Sequence, residues 1–146
     1  MKTKLMIEDV KLEDLESIVQ INKTALGYDF SQNETKERLK YVLNTTSDKL
    51  IAAKLNGKVI GYIHGADYNP VYSQPLKNIL ALAVLPEYQG YGAGKALLIA
   101  NENWARECGC TGVRLVSGYN RVEAHEFYCH CGYTMRKEQK NFIKIF

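Results

Sequence analysis

The 146-residue sequence has no apolar run approaching the roughly 20 residues that a helix needs to cross a bilayer. Its first residues reach Glu8 and Asp9 too early to leave room for the apolar core of a signal peptide. Both absences argue against a membrane-bound or secreted protein. We therefore expect no membrane partner and a cytoplasmic location.

A strong charge of one sign is also missing. The formal net charge is only +3, which is too small to predict a nucleic-acid partner. The excess of positive charge falls in residues 76–146. That half would suit an anionic ligand, although the field of three charges is weak and screened by salt.

Cysteines are few, and their spacing is unusual. The four thiols form two Cys-x-Cys pairs, Cys108/Cys110 and Cys129/Cys131, and His130 stands inside the second pair. Zinc sites usually take their ligands at Cys-x2–4-Cys spacing, and disulfides are rare in reducing compartments. We expect free thiols and no metal; a Cys/His metal-binding module is the less favoured alternative.

The sequence does contain alternating strand and helix patterns, over a length that suits one domain, 1–146. Apolar periodicity, a capping box at Ser31 and the hairpin signal Asn56-Gly57 define most elements. The predicted order is β-α-α-β-β-β-α-β-α-β-β, with elements at 3–9, 11–24, after Ser31, 49–55, 58–67, 77–85, 92–107, 113–117, 122–131, 133–137 and 141–146. This order predicts a mixed sheet with helices on its faces.

Three glycines, Gly90, Gly92 and Gly94, stand where the strand 77–85 gives way to the helix 92–107. A helix N-terminus carries unpaired N–H groups and the positive end of the dipole, so it attracts anions. Glycines let the backbone approach a phosphate without a Cβ in the way. A tight turn is the plain alternative, but one glycine would be enough for it. The spacing therefore favours a phosphate-binding loop.

Two common phosphate motifs do not match this loop. The Walker pattern fails because Gln89 stands at its first glycine and Ala96 at its magnesium-binding Ser/Thr. The dinucleotide fingerprint fails because Lys95 stands at its third glycine. Neither a P-loop nucleotide site nor a Rossmann dinucleotide site is predicted.

A Gln-x-x-Gly-x-Gly motif at 89–94, preceded by a Val-x-Pro motif at 84–86, resembles the signature of the GNAT family of N-acetyltransferases. The segment 117–133 is similar to a second family segment, N-x-x-A-x-x-F-Y-x-x-x-G-F/Y, and 11–18 resembles the family's first helix. The matching positions of the second segment are Asn120, Ala124, Phe127, Tyr128, Gly132 and Tyr133.

The resemblance implies a GNAT-like α/β fold with a mixed, largely antiparallel sheet of six to seven strands and about four flanking helices. It also implies acetyl-CoA as cofactor, coenzyme A as product and no metal. The loop amides would hold the pyrophosphate, and the preceding strand would pair with the pantetheine arm. The implied cofactor-binding residues are Leu82, Ala83, Val84, Gln89, Gly90, Tyr91, Gly92, Ala93, Gly94, Lys95, Asn120 and Tyr128.

The resemblance also implies catalytic roles. Tyr128, at the family's Phe-Tyr pair, would act as the general acid that protonates the departing thiolate; simple packing is the alternative. Many family members carry a carboxylate base where this chain has Ala81. His64 and Asp67 on the preceding strand are candidate substitutes, and ordered water is a further route for the proton.

The acceptor would lie against the loop containing Tyr28 and Asp29, where a carboxylate can attract an ammonium. His64 and Asp67 would complete this substrate side. The predicted activity is direct acetyl transfer to a primary amine of a small molecule or peptide. A non-catalytic acyl-CoA-binding sensor is the alternative, because Ala81 replaces the usual carboxylate. The tyrosine-bearing loops and the apolar C-terminal strand sequence NFIKIF offer apolar edge surface, which predicts a homodimer.

Overall fold

The chain forms one five-stranded sheet and four α-helices in a computed structural model that describes residues 4–146. The elements in chain order are β1 (Leu5–Asp9), a 3-10 turn (Leu12–Asp14), α1 (Leu15–Thr24), α2 (Gln32–Leu43), β2 (Asp48–Leu55), β3 (Lys58–Tyr68), β4 (Leu76–Val84), a 3-10 turn (Pro86–Tyr88), α3 (Ala93–Glu107), β5 (Val113–Leu115) and α4 (Val122–His130). Residue 3 of the predicted first strand lies outside the described residues. No helix in the described part of the chain has the length and apolarity to cross a membrane.

The sheet has the strand order β1-β2-β3-β4-β5. Neighbours from β1 to β4 pair antiparallel, and β4 pairs with β5 in parallel. The β2–β3 hairpin turns at Asn56 and Gly57, whose φ angles of 52° and 85° suit a type I′ turn. α3 supplies the crossover connection that a parallel pair requires. The predicted mixed, largely antiparallel α/β fold is confirmed.

The predicted strand count of six to seven is wrong for residues 4–146, which contain five strands. The expected closing pair, 133–137 with 141–146, forms no strand. Phe142 and Ile143 are 87% and 85% exposed. Alternating apolar side chains favour extended backbone, but a strand also needs a neighbour that completes its hydrogen bonds. β5 also ends at Leu115, two residues before the predicted end.

Residue contacts divide the chain into two compact units. The first unit ends at Leu115 and contains the whole sheet with α1, α2 and α3. The second unit, Val116–Phe146, contains α4 and a C-terminal segment without regular secondary structure. The organisation as a single domain, 1–146, stays a prediction.

The core lies on both faces of the sheet. α1 and α2 cover one face, and the buried apolar residues there are Val10, Ile18, Ile21, Leu39, Val42, Leu50, Ala52, Val59, Tyr62, Ala83 and Leu85. α3 covers the opposite face through the fully buried Leu97 and Leu98. Side chains alternate along β3, so Tyr62 belongs to the α1 face whereas Gly65 meets α3.

Gly65 allows α3 to approach β3 closely. A Cβ added at this position would lie 2.2 Å from Oδ1 of Asn101 and 2.8 Å from a ring carbon of Trp104. Asn101 is completely buried, so it has little room to move away. A side chain at position 65 would therefore push the helix from the sheet.

We predict that Gly65→Ala lowers the free energy of unfolding by about 1–3 kcal/mol, the usual cost of overpacking a core. Urea denaturation followed by circular dichroism measures it. Gly112→Ala is the matched control, because its new Cβ would meet only Leu76 Cδ2, at 3.4 Å. Equal stability of the two variants would contradict the close approach at Gly65.

Candidate functional site

β4 loses one of its two neighbours before it ends. Its parallel pairing with β5 covers only 77–79, whereas its pairing with β3 continues to the end of the strand. The edge at 80–84 therefore has no strand partner on the β5 side within the first unit. The β3–β4 register also shifts between His64 and Gly65, and Leu80, which has no opposite residue, is 57% exposed. Such an open edge suits a ligand that pairs as a strand does.

The loop after β4 holds two glycines in the left-handed region. A 3-10 turn with proline at its start, Pro86–Tyr88, ends the strand. Gly90 and Gly92 then have φ angles of 93° and 81°, which side chains other than glycine rarely adopt. No atom lies within 4 Å of a Cβ built on either residue. The space above this backbone is open to a ligand.

α3 begins at this open backbone. Gly92 is its N-cap and no side chain caps the helix. The first helical hydrogen bond runs from Ala96 N to Gly92 O at 3.0 Å, so the N–H groups of Ala93, Gly94 and Lys95 precede any intrahelical partner. The first turn contains no acidic residue. An uncapped helix N-terminus beside open glycine backbone fits an anionic phosphate group.

The predicted cofactor-binding residues fall into both units. Leu82, Ala83 and Val84 lie on β4, and 89–95 forms the loop and first turn of α3, so the first unit brings these two sets together in one continuous stretch. Asn120 and Tyr128 belong to the second unit. Asn120 is exposed and precedes α4.

Tyr128 lies in α4 among aromatic rings. Its ring meets those of Phe127 and Tyr133 edge-on, with centroids 5.3 Å and 5.9 Å away. Burial raises the pKa of the Tyr128 phenol above its ordinary value; Arg121 acts in the opposite direction, and Cys131 adds to the rise. Its hydroxyl makes no hydrogen bond to a described residue. The phenol therefore keeps its proton at neutral pH.

His64, a candidate base, is held by a carboxylate. Its Nε2 lies 2.7 Å from Oδ2 of Asp48, and both side chains are about four-fifths buried, with 19% and 21% exposed. The second oxygen of Asp48 accepts a hydrogen bond from Ser47 Oγ at 2.8 Å. The Asp48 carboxylate therefore orients the His64 imidazole, and the Ser47 hydroxyl in turn orients that carboxylate.

Asp67, the other candidate base, already has a cationic partner. Its carboxylate accepts a short hydrogen bond from the ammonium of Lys77, a residue only 4% exposed. The ammonium also stacks over the ring of Trp104, 4.1 Å from its centroid. The contacts of this ammonium connect β3, β4 and α3.

The predicted acceptor residues Tyr28 and Asp29 are exposed in the loop between α1 and α2. Tyr28 interacts electrostatically with Tyr62, whose pKa is raised to about 12, mainly by burial. The Tyr62 hydroxyl donates to Oδ1 of Asn22 at 2.5 Å. Tyr28 is thus associated with the face of β3 that also carries His64, and Asp29 follows it in the chain.

A sequence profile of the Acetyltransferase (GNAT) family matches residues 15–133. This match covers most of the chain, including the glycine loop and α4. The chain belongs to the GNAT acetyltransferase family. Family membership agrees with the predicted resemblance and with the observed fold.

Similar proteins include one N-acetyltransferase whose name states its substrate and others that are uncharacterized. An aminoglycoside N(6')-acetyltransferase type 1 from Stenotrophomonas maltophilia is 32% identical over 87 residues, which are 57% of this chain and 57% of that protein. An uncharacterized N-acetyltransferase from Methanocaldococcus jannaschii is 24% identical, over 95% of this chain and 65% of that protein. The chain therefore spans less than two thirds of the length of these relatives.

A solved GNAT structure shows the same fold. The aminoglycoside N-acetyltransferase AAC(6')-Iy, crystallised in complex with CoA, superposes with a TM-score of 0.89 at 16% identity. The superposition covers 99% of this chain and 97% of that chain. Because the two sequences are only 16% identical, the superposition shows that the two proteins share a fold.

Within the described residues, the cysteines form neither a disulfide nor a metal site. Cys108 and Cys129 are exposed free thiols, and Cys110 and Cys131 are half-buried free thiols. No group of three or more His, Cys, Asp or Glu side chains within residues 4–146 is placed to hold a metal ion. The Cys-x-Cys pairs have no assigned role.

Asp48 contacts the candidate residue His64, and the sequence does not predict that contact. It stands 16 positions before His64, and no motif connects the two. A hairpin at Asn56-Gly57 brings β2 beside β3, but the β2–β3 register shifts between Ala53 and Lys54. Because a shift of one residue exchanges the two faces of a strand, the turn alone would not have placed Asp48 on the His64 face.

Proposed function

We propose that this protein transfers an acetyl group from acetyl-CoA to a primary amine of a small molecule. The observation that carries the proposal is the continuity of the open β4 edge with the uncapped, glycine-lined N-terminus of α3. An extended thioester with a pyrophosphate needs both features side by side. Membership of the GNAT family supports the same activity.

The N–H groups of 89–95 would hold the pyrophosphate. Because Gly90 and Gly92 have no side chains, a phosphate can approach this backbone closely. The dipole of α3 favours negative charge at the N-terminus of the helix. Leu82, Ala83 and Val84 would pair through their backbone with the pantetheine arm, and a strand N–H would polarise the thioester carbonyl. The CoA complex of the structural neighbour AAC(6')-Iy supports this choice of cofactor.

We predict that Gly92→Val weakens acetyl-CoA binding by roughly tenfold or more, because a branched side chain would occupy the space above the loop. Isothermal titration calorimetry with acetyl-CoA measures the affinity. Gly109→Val is the matched control, since Gly109 also has positive φ (76°) and open space around its Cβ. Equal acetyl-CoA affinity in the two folded variants would argue against a pyrophosphate at 89–95.

Tyr128 would protonate the departing thiolate of CoA, and Asn120 would hydrogen-bond the cofactor arm. Burial raises the pKa of the Tyr128 phenol and so makes it a weaker acid, which means that proton transfer to the sulfur would depend on the position of the hydroxyl. Since no described residue accepts a hydrogen bond from this hydroxyl, its proton is available to the sulfur. The assignment rests on the register of 117–133 with the family segment.

We predict that Tyr128→Phe lowers kcat by roughly ten- to a thousandfold, a loss of general-acid size. The ring and its packing remain, so the acetyl-CoA affinity should change little. Thiol release at saturating substrate gives kcat, and calorimetry gives the affinity. Tyr119→Phe, at an exposed tyrosine of the same unit (80% exposed), should be neutral. Near-normal turnover of Tyr128→Phe would indicate that water, and not Tyr128, protonates the CoA thiolate.

The acceptor is proposed to be a polyamine-like small molecule such as an aminoglycoside. A relative that shares 32% identity with this chain is an aminoglycoside N(6')-acetyltransferase. The exposed Tyr28 and Asp29 offer a ring and a carboxylate to a cationic amine. A peptide amine and an acyl-CoA sensor without turnover are the alternatives that the experiment separates.

The experiment is a panel of neamine, spermidine and a lysine-containing peptide, each incubated with acetyl-CoA while free thiol is recorded. Fast thiol release with neamine would support a polyamine-like small molecule as the acceptor. Thiol release with the peptide alone would indicate that the acceptor is a peptide amine. Acetyl-CoA binding without thiol release from any amine would favour the sensor. Absence of acetyl-CoA binding would contradict the proposed function itself.

We also propose a cytoplasmic homodimer with no nucleic-acid partner. All four cysteines are free thiols, which suits a reducing compartment, and a net charge of +3 offers little attraction to nucleic acid. The C-terminal residues Phe142, Ile143, Ile145 and Phe146 are at least 80% exposed. Exposed apolar side chains of this density are usual at protein interfaces.

We predict a dimer in solution and a monomer for Ile143→Lys, because a charge in the apolar segment would be desolvated on association. Light scattering coupled to size-exclusion chromatography measures the mass. Val71→Lys is the control, since Val71 is a fully exposed apolar residue outside the segment. A monomeric wild-type protein at high concentration would refute the dimer.

A further inference from the structure

We propose that His64, oriented by Asp48, is the base that takes the proton from the acceptor amine. This inference rests on the acetyl transfer proposed above and assigns the group that the family resemblance leaves open at Ala81. It is carried by the register of β3 and β4 and by the His64–Asp48 hydrogen bond.

The position of His64 compensates for the missing carboxylate. In the β3–β4 register, His64 is the direct partner of Ala81, and directly opposed residues have Cβ atoms about 4.5–5.5 Å apart on one face. Ala81 packs against the core cluster under α1 and α2, which identifies that face. The Ala81 side chain is only a methyl group, and Ala81 itself lies in the open edge at 80–84.

The hydrogen bonds around His64 leave one ring nitrogen available. Nε2 is paired with Asp48, and Nδ1 makes no hydrogen bond to any described residue. Burial raises the pKa of Asp48, but hydrogen bonds from His64 and Ser47 and the charges of His64 and Arg38 outweigh it, so its pKa lies below the ordinary value. An ionised Asp48 holds the ring proton on Nε2, and Nδ1 is then the lone-pair nitrogen.

Other titratable groups near this face are already engaged. Arg38 of α2 is permanently charged and acts on Asp48. The Tyr62 hydroxyl donates to Asn22 and ionises only near its pKa of about 12. Asp67 is paired with the buried Lys77. The Nδ1 atom of His64 is not engaged in this way by any residue of 4–146.

The chemistry balances with one base and one acid. Nδ1 of His64 accepts a proton from the substrate ammonium, and the freed nitrogen lone pair forms the C–N bond with the thioester carbonyl carbon. The C–S bond breaks, and its electron pair leaves with sulfur. The sulfur ends as a thiol, with the proton that the Tyr128 phenol supplies, and the second proton lost by the acetylated nitrogen passes through solvent to restore that phenol. The products are an amide, coenzyme A and one proton passed on to solvent from His64.

The test compares His64→Gln with Asp48→Asn, and uses His130→Gln as the control because His130 is an exposed histidine of the second unit. Acetyl-CoA affinity is measured first by calorimetry and should match wild type within about twofold. The acceptors are the fastest amine of the panel above and hydroxylamine, which is weakly basic and needs no base at neutral pH.

With the basic amine, His64→Gln should lower kcat/KM by roughly a hundredfold or more, Asp48→Asn should lower it less, and His130→Gln should be neutral. With hydroxylamine the deficit of His64→Gln should shrink toward wild type, which loss of packing alone would not produce. A deficit of the same size with both acceptors, or turnover of His64→Gln within twofold of wild type, would overturn the inference.

A second measurement does not depend on turnover. Nitrogen-15 NMR of the imidazoles should show the His64 proton on Nε2 in the wild type and a mixture of tautomers in Asp48→Asn. A wild-type proton on Nδ1 would overturn the inference. A wild type that binds acetyl-CoA but acetylates no amine would instead contradict the proposed function, so the two failures are distinguishable.

Discussion

The short parallel pairing between β4 and β5 is the constraint on which the rest of the site depends. β4 keeps β3 as a neighbour to its end, but it keeps β5 only over 77–79. A parallel neighbour requires a crossover helix, and eight residues, 85–92, which include the glycine loop, separate the end of β4 from the start of α3. The open strand edge and the helix N-terminus are therefore adjacent for topological reasons. One extended, anionic cofactor can contact both.

A buried cation stabilises the part of β4 that remains paired. Lys77 contacts Asp67 of β3 and Trp104 of α3, so three elements meet at one ammonium. Burial lowers the pKa of Lys77, but the hydrogen bond and charge of Asp67 outweigh it, and the net pKa is raised. Asp67 is thus engaged in an ion pair that connects β3 with β4.

The His64–Asp48 pair depends on an irregularity that no local pattern indicates. The hairpin starts with Leu55 opposite Lys58, and an unbroken register would set Lys49 opposite His64. The shift between Ala53 and Lys54 places Leu50 there instead. Asp48 shares the face of Leu50, because side chains alternate, and so it reaches the imidazole. One bulge decides whether the histidine has a carboxylate partner.

The sequence by itself determined the features that depend on neighbours in the chain. Apolar periodicity predicts α1, α2 and α3, Asn56-Gly57 predicts the hairpin, and the glycines at 90–94 predict the anion-binding turn, since φ angles and helix-end N–H groups are local properties. Tertiary structure decided the remainder. The segment 141–146 has strand-like alternation but no partner in the described chain, and Asp48 reaches His64 through a register shift. Hydrogen bonds between distant segments depend on where the backbone is placed, and local propensity does not encode that placement.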